Sequence, residues 1–159
     1  MKASYRSLLI ALFLVPLGIP DNISYSESTA QETLLTTTKL TCSFTEGVAT
    51  RWTSQGPIIE KGSYSELHVL QSIDLQKRTA ERIRGKWTEN VRLRRGYRGI
   101  SFFSIGKDNK VLPFNITTVF AKYHNTTKDF FAVLSRHGSD TYFGEIKSIQ
   151  LYGTCIAED

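Results

Sequence analysis

From Leu40 onward the chain repeats with a period of two, and that period restricts what it can fold into. Leu40, Cys42 and Phe44 alternate with Thr41, Ser43 and Thr45, which gives one apolar and one hydroxylated face. Gly47 interrupts the run where a bulge is expected, and Val48 to Trp52 continue it to a turn signal at Ser54-Gln55-Gly56-Pro57. Leu67, Val69, Ile73 and Leu75 share a phase in a strand expected to end near Asp74. Ile83 lies between Arg82 and Arg84, while Val91 and Leu93 alternate with Arg92 and Arg94. Gly99 to Ile105 lead into Gly106-Lys107-Asp108-Asn109, a hairpin-loop composition. Ile116–Tyr123 and Phe130–Arg136 form a second pair, joined by the polar run from His124 to Asp129, and Ile149, Leu151, Gly153 and Cys155 close the series on one phase.

About eight or nine short strands separated by turn signals predict an all-β barrel or sandwich. A stretch near Ser63 to Leu67 is the one helix candidate, and it is too short to count. At 159 residues the chain has room for one domain, and 40% hydrophobic residues suffice for a core. The expectation is a small antiparallel up-and-down barrel, calycin-like, over residues 39–159.

The chain holds two cysteines, and they sit near opposite ends of the alternating region. Cys42 and Cys155 both fall on the apolar phase, and neither has a histidine or second cysteine at metal-ligand spacing. A structural disulfide follows, which brings the first and last strands within about 6 Å at their α-carbons. In the chain-entropy model a loop of this length stabilises by about 4–5 kcal/mol.

Lys2 and Arg6 precede the apolar run from Leu8 to Ile19, which Pro16 interrupts. That run covers roughly 20 Å as a helix, short of the about 30 Å of a bilayer core. It reads as a secretory signal peptide over residues 1–26, followed by a flexible Ser/Thr-rich segment over 27–38. The protein is therefore expected to be secreted or periplasmic.

Net charge is +5, with a sequence pI near 9.3, and the basicity is local. Lys77, Arg78, Arg82, Arg84, Lys86, Arg92, Arg94, Arg95 and Arg98 face only Glu81 and Glu89, so the segment from Gln76 to Gly99 carries +7. The rest of the chain is slightly acidic. With Gly85 to Asn90 as the loop of a hairpin, Arg82, Arg84, Arg92 and Arg94 are expected to form one cationic surface, with Trp87 and Tyr97 at its margins. Guanidinium groups beside aromatics suit phosphate, sulfate or carboxylate partners through bidentate contacts and stacking. The bland alternative is a solvated strand face whose charges oppose edge-to-edge association.

Little else carries chemistry. His68, His124 and His137 are scattered, without metal-ligand spacing, so neither a metal nor a cofactor is expected. Ser135-Arg136-His137 lacks an orienting carboxylate and a nucleophile elbow. Asn22, Asn115 and Asn125 open glycosylation sequons, where this composition gives about one by chance, so three are weak evidence for glycosylation.

Several runs are shared with known sequences. Thr41-Cys42-Ser43-Phe44-Thr45-Glu46-Gly47, Phe120-Ala121-Lys122-Tyr123, Phe131-Ala132-Val133-Leu134-Ser135-Arg136-His137 and Tyr152-Gly153-Thr154-Cys155 resemble a group of small exported bacterial proteins of unknown function. The resemblance implies a bacterial exported protein, in which the sequons have no role, and brings no activity with it. The lipocalin G-x-W signature is not matched, because Gly47 and Trp52 lie five apart.

The function expected is non-enzymatic: an exported protein that binds an anionic glycan, lipid headgroup or other polyanion through Arg82, Arg84, Lys86, Trp87, Arg92, Arg94, Arg95 and Arg98. Alternatives are an apolar-ligand carrier using the barrel interior and an inhibitor of a secreted hydrolase.

Overall fold

Eight antiparallel strands follow one another around a closed barrel, each bonded to its sequence neighbours, and β8 returns to pair with β1. They are β1 (Lys39–Thr53), β2 (Gly56–Asp74), β3 (Thr79–Arg84), β4 (Trp87–Gly96), β5 (Gly99–Ile105), β6 (Phe114–His124), β7 (Asp129–Asp140) and β8 (Glu145–Glu158). A helix, α1 (Asn22–Thr36), precedes them. The structure, a computed structural model, describes residues 22–105, 114–124, 127–140 and 145–158. The apolar run of the expected signal peptide, the Gly106–Asn109 loop and the Asn125 sequon lie outside those residues.

The alternation read from the sequence sets which side chains enter the barrel. Leu40, Cys42 and Phe44 of β1, Phe130, Ala132 and Leu134 of β7, and Leu151 and Cys155 of β8 are all buried. Cys42 lies directly opposite Cys155 in the β1–β8 register, and the two form a disulfide. First and last strands are thus joined by both hydrogen bonds and a covalent bridge. Gly153 makes the close approach there possible, since a Cβ at that position would stand 1.9 Å from the Ser43 carbonyl oxygen. The register shift of β1 falls between Phe44 and Glu46, next to the expected bulge at Gly47.

Two expectations change. In β2 the apolar phase is the outer one: Leu67 is 58% exposed, whereas His68, at 1%, points into the barrel together with Leu70. A register shift between Gln71 and Asp74, with Ser72 at φ 52°, then brings Ile73 into the core. Leu67 and Ile73 therefore do not share a face, although they are an even number of residues apart. The short helix considered near Ser63–Leu67 is part of the same strand.

The second change concerns residues 27–38, expected to be flexible. Most of that segment lies in α1, which packs against β5 and β6. Ala30 and Leu34, one turn apart, are buried in the barrel core, and the Tyr123 hydroxyl donates to Thr33 Oγ1 at 3.0 Å. The Thr33 and Thr36 hydroxyls donate back to the carbonyls of Thr29 and Glu32. A Ser/Thr-rich stretch has weak intrinsic helicity, so packing of that one apolar stripe supplies what propensity does not.

One side of the barrel is taller. β2 pairs with β3 only between Val69 and Asp74, but its earlier residues continue along β1 to Thr53↔Gly56. β7 and β8 remain paired out to Asp140↔Glu145.

Candidate functional site

The β3–β4 hairpin turns through two residues, Gly85 and Lys86, not the six expected, and Gly85 takes φ +57°. The register is Arg84↔Trp87, Arg82↔Glu89, Ala80↔Val91 and Thr79↔Arg92. Residues opposite one another share a face, so Arg82 falls on the side of Val91 and Leu93, and Arg92 and Arg94 fall on the other. Arg82, Arg84, Arg92 and Arg94 therefore do not form one surface. An even number of turn residues always pairs even positions of β3 with odd positions of β4, so the six-residue loop would have separated them too.

Arg92 and Arg94 face outward, whereas Arg95 lies on the phase of Leu93, opposite the buried Ile100, and is exposed only because β4 ends there. Arg92, Arg94, Arg95 and Arg98 are exposed, and Lys77 and Arg78 of the β2–β3 turn lie beside them, since the Leu93 amide donates to the Arg78 carbonyl. Lys77 pairs with Asp74 at 3.2 Å, and the Arg98 guanidinium sits 5.8 Å from the ring centroid of the exposed Tyr97. The nearby Glu81 accepts from Gln71 Nε2 at 2.9 Å. Among the described residues none of Arg84, Lys86, Arg92, Arg94, Arg95 and Arg98 makes an ion pair with a carboxylate. Arg84, Lys86 and Trp87 stand exposed at the hairpin tip.

Inside, the same hairpin contributes to a polar layer that crosses the barrel. Arg82 is buried, and its Nε and Nη2 both donate to Glu89 Oε1, the first at 2.9 Å. Nη2 also donates to Ser104 Oγ on β5. Opposite, Arg136 of β7 grips both carboxylate oxygens of Glu66 on β2, with Nη1 to Oε1 at 2.6 Å. His68 Nε2 lies 3.2 Å from Glu66 Oε2 and 3.4 Å from Arg136 Nη2. Burial, reinforced by the charges of Arg82 and Arg136, pushes the His68 pKa down to about 4, so the ring is neutral near pH 7. Burial raises the Glu66 pKa, but the Arg136 hydrogen bonds and charge outweigh it and hold the carboxyl below its usual range.

Two buried polar atoms of this layer, Arg82 Nη1 and His68 Nδ1, find no hydrogen-bond partner among the described residues, nor does Thr117 Oγ1, which the register sets beside Phe102 and Leu134 in the apolar interior. Thr117, on β6, lies opposite Phe102, and Ser104 is the next inward residue of β5. Diagonal neighbours of that kind lie about 7–8 Å apart at their α-carbons. Below the layer the interior is apolar, filled by Leu40, Leu70, Ile100, Phe102, Val119 and Phe130.

The sequence held a signal for this layer. Arg136 follows Phe130, Ala132 and Leu134 on one phase, and Arg82 follows Ala80, so each is a charge on a buried face. Glu66 and His68 had no such signal, because Leu67 and Val69 made the opposite face look like the inner one. Among the described residues there is no cluster of histidine, cysteine and carboxylate side chains able to hold a metal.

The fold and site define a closed up-and-down β-barrel with an apolar floor, a charged inner layer and a basic outer band. Compared with protein-family models, with curated proteins and with solved structures, the chain matches none, so its function is argued from this geometry alone.

Proposed function

We propose that the protein is an exported, non-enzymatic binding protein that engages an anionic partner through the outer face of β4. The observation that supports this reading is a run of exposed arginines: Arg92 and Arg94 face outward beside Lys77 and Arg78, Arg95 and Arg98 are exposed at the end of β4, and among the described residues none of these four arginines makes an ion pair with a carboxylate. Arg92 and Arg94 are about 7 Å apart along the strand, a spacing set by the backbone and suited to a partner that repeats its negative groups. Guanidinium groups hold such oxyanions by paired hydrogen bonds, and the exposed Tyr97 beside Arg98 adds a face for stacking. Arg82 takes no part, being committed to the interior.

Export rests on the signal-peptide composition of the N-terminal residues, and the Cys42–Cys155 disulfide agrees with an oxidising compartment. Retention on immobilised heparin and sedimentation with phosphatidylglycerol vesicles test the binding, and the two arms distinguish a glycan-type from a lipid-type partner. The double variant Arg92→Glu, Arg94→Glu is expected to lose retention in low salt. Unchanged retention by that variant overturns the proposal.

A further inference from the structure

The outer wall formed by β7, β8 and β1 lies on the far side of the barrel from β4 and has a different chemistry. The register places Leu67, Ser43, Thr154 and Phe131 side by side across four strands, so two short hydroxyl residues lie between two exposed apolar ones. The next outward row is Ser63, Glu46, Tyr152 and Val133. Between Phe44 and Glu46 the register shift breaks the alternation of β1, and Thr45 and Glu46 are both exposed, which adds a polar side chain to this wall. The result is an open depression of about 410 Å³, lined by Ser43, Thr45, Glu46 and Thr154 together with Phe131 and Tyr152. A second depression of about 510 Å³ shares Glu46 and Tyr152 with it and continues to Lys61 and Ser63, so the two form one groove. Its aromatic side chains are held in place. His124 stands edge-on to Phe131 with ring centroids 5.0 Å apart, and the Tyr152 hydroxyl donates to Gln150 Oε1 at 3.0 Å. Among the described residues the hydroxyls of Ser43, Thr45 and Thr154 make no hydrogen bond within the protein, and Glu46 makes no ion pair.

We propose that this groove binds a neutral oligosaccharide. A pyranose ring has a face of C–H bonds and a rim of hydroxyls. Phe131 and Tyr152 offer apolar surface to the face, while three free hydroxyls and the Glu46 carboxylate offer donors and acceptors to the rim. Each depression falls within the about 300–1,000 Å³ of small-ligand sites, and their joining suits more than one sugar unit. Charge selects against the partners that suit β4. Among the described residues Glu46 is the one acidic side chain of the first depression and no lysine or arginine lines it, so sulfate, phosphate and carboxylate groups are repelled there. A wholly apolar ligand would strip water from Ser43, Thr154 and Glu46 without replacing its hydrogen bonds. An extended peptide finds no main-chain partners, because the backbone of this wall is already paired in the β1–β8 and β7–β8 ladders.

The probes are cellotriose and chitotriose, followed by NMR titration of backbone amides. At least one is expected to bind saturably, with a dissociation constant of about 1 mM, and to shift the amides of residues 43–46, 131–133 and 152–154. Glycerol, which has hydroxyls but no apolar ring face, is expected to leave those amides unmoved. Phe131→Ala removes an exposed side chain and is expected to weaken binding about tenfold. Thr154→Val keeps the shape without the hydroxyl and is expected to weaken it about threefold or more. An unchanged unfolding temperature shows that each variant is folded, and Thr154→Val decides the matter if Phe131→Ala is not. Arg92→Glu, Arg94→Glu is expected to bind the trisaccharide as the parent does, which keeps this site separate from the one proposed on β4. The inference is overturned if neither trisaccharide shifts these amides, if glycerol matches them, if the folded variants bind as the parent does, or if the arginine variant loses trisaccharide binding.

Discussion

Arg82 and Arg92 stand on one hairpin and meet opposite demands. Arg82 faces inward, is buried, and has Glu89 and Ser104 as partners. Arg92 faces outward, is exposed, and has no ion-pair partner among the described residues. The chemistry of the side chain is the same, so the difference lies entirely in which side of a closed sheet each residue takes. A guanidinium inside a barrel must be neutralised by the protein, and its partners become part of the fold. Outside, water solvates it, and it stays available to something else.

If that contrast is right, inner-face changes should cost stability and outer-face changes should cost binding. The largest effect is expected at the inward disulfide. Cys42→Ala with Cys155→Ala should lower unfolding stability by about 4 kcal/mol in urea titration, the chain-entropy figure for a long closed loop. Arg82→Ala should cost about 3 kcal/mol by the same measurement, since it leaves Glu89 and Ser104 without their shared donor. A loss below about 0.5 kcal/mol, the range of surface changes, would show that Arg82 is not held as described.

Next comes pH. His68 has a folded pKa of about 4 against an ordinary value of 6.5, so between these values the unfolded chain binds more protons than the folded one. Stability should therefore be complete above pH 6.5 and fall by about 3 kcal/mol as pH drops to 4. Glu66, with its pKa also lowered, continues the loss in the same direction at lower pH. In His68→Asn the fall between pH 6.5 and 4 should flatten, and an unchanged profile would place the titration elsewhere.

The smallest effect on stability, within about 0.5 kcal/mol, is expected for Arg92→Ala and Arg94→Ala. For these the informative readout is heparin retention, which should shift to lower salt for each charge removed. A stability loss as large as that of Arg82→Ala would erase the distinction between the two faces.

Much of this architecture was legible beforehand, and for a definite reason. Side chains alternate strictly in a strand, so Leu40, Cys42 and Phe44, or Phe130, Ala132 and Leu134, announce a buried face without reference to any other strand. Where the alternation breaks, the reading broke as well. The irregularity at Ser72 let Leu67 and Ile73 look like companions when they lie on different faces. Helix α1 was missed because Ala30 and Leu34 offer a stripe too narrow to outweigh the Ser/Thr-rich composition until β5 and β6 are there to receive it. The basic block was visible, but its division between two faces depends on pairing register, which charge counts do not carry.

By itself the sequence determined the strands, the inward pairing of Cys42 with Cys155 and the concentration of basic charge between Gln76 and Gly99, because each is a local or periodic property. Only the tertiary structure decided that Glu66, His68, Arg82, Glu89, Ser104 and Arg136 form one inward-facing polar layer. Those residues come from five strands, and what brings them together is closure of the sheet, which places the inner faces of distant segments against one another and takes all but the half-exposed Glu89 largely out of water.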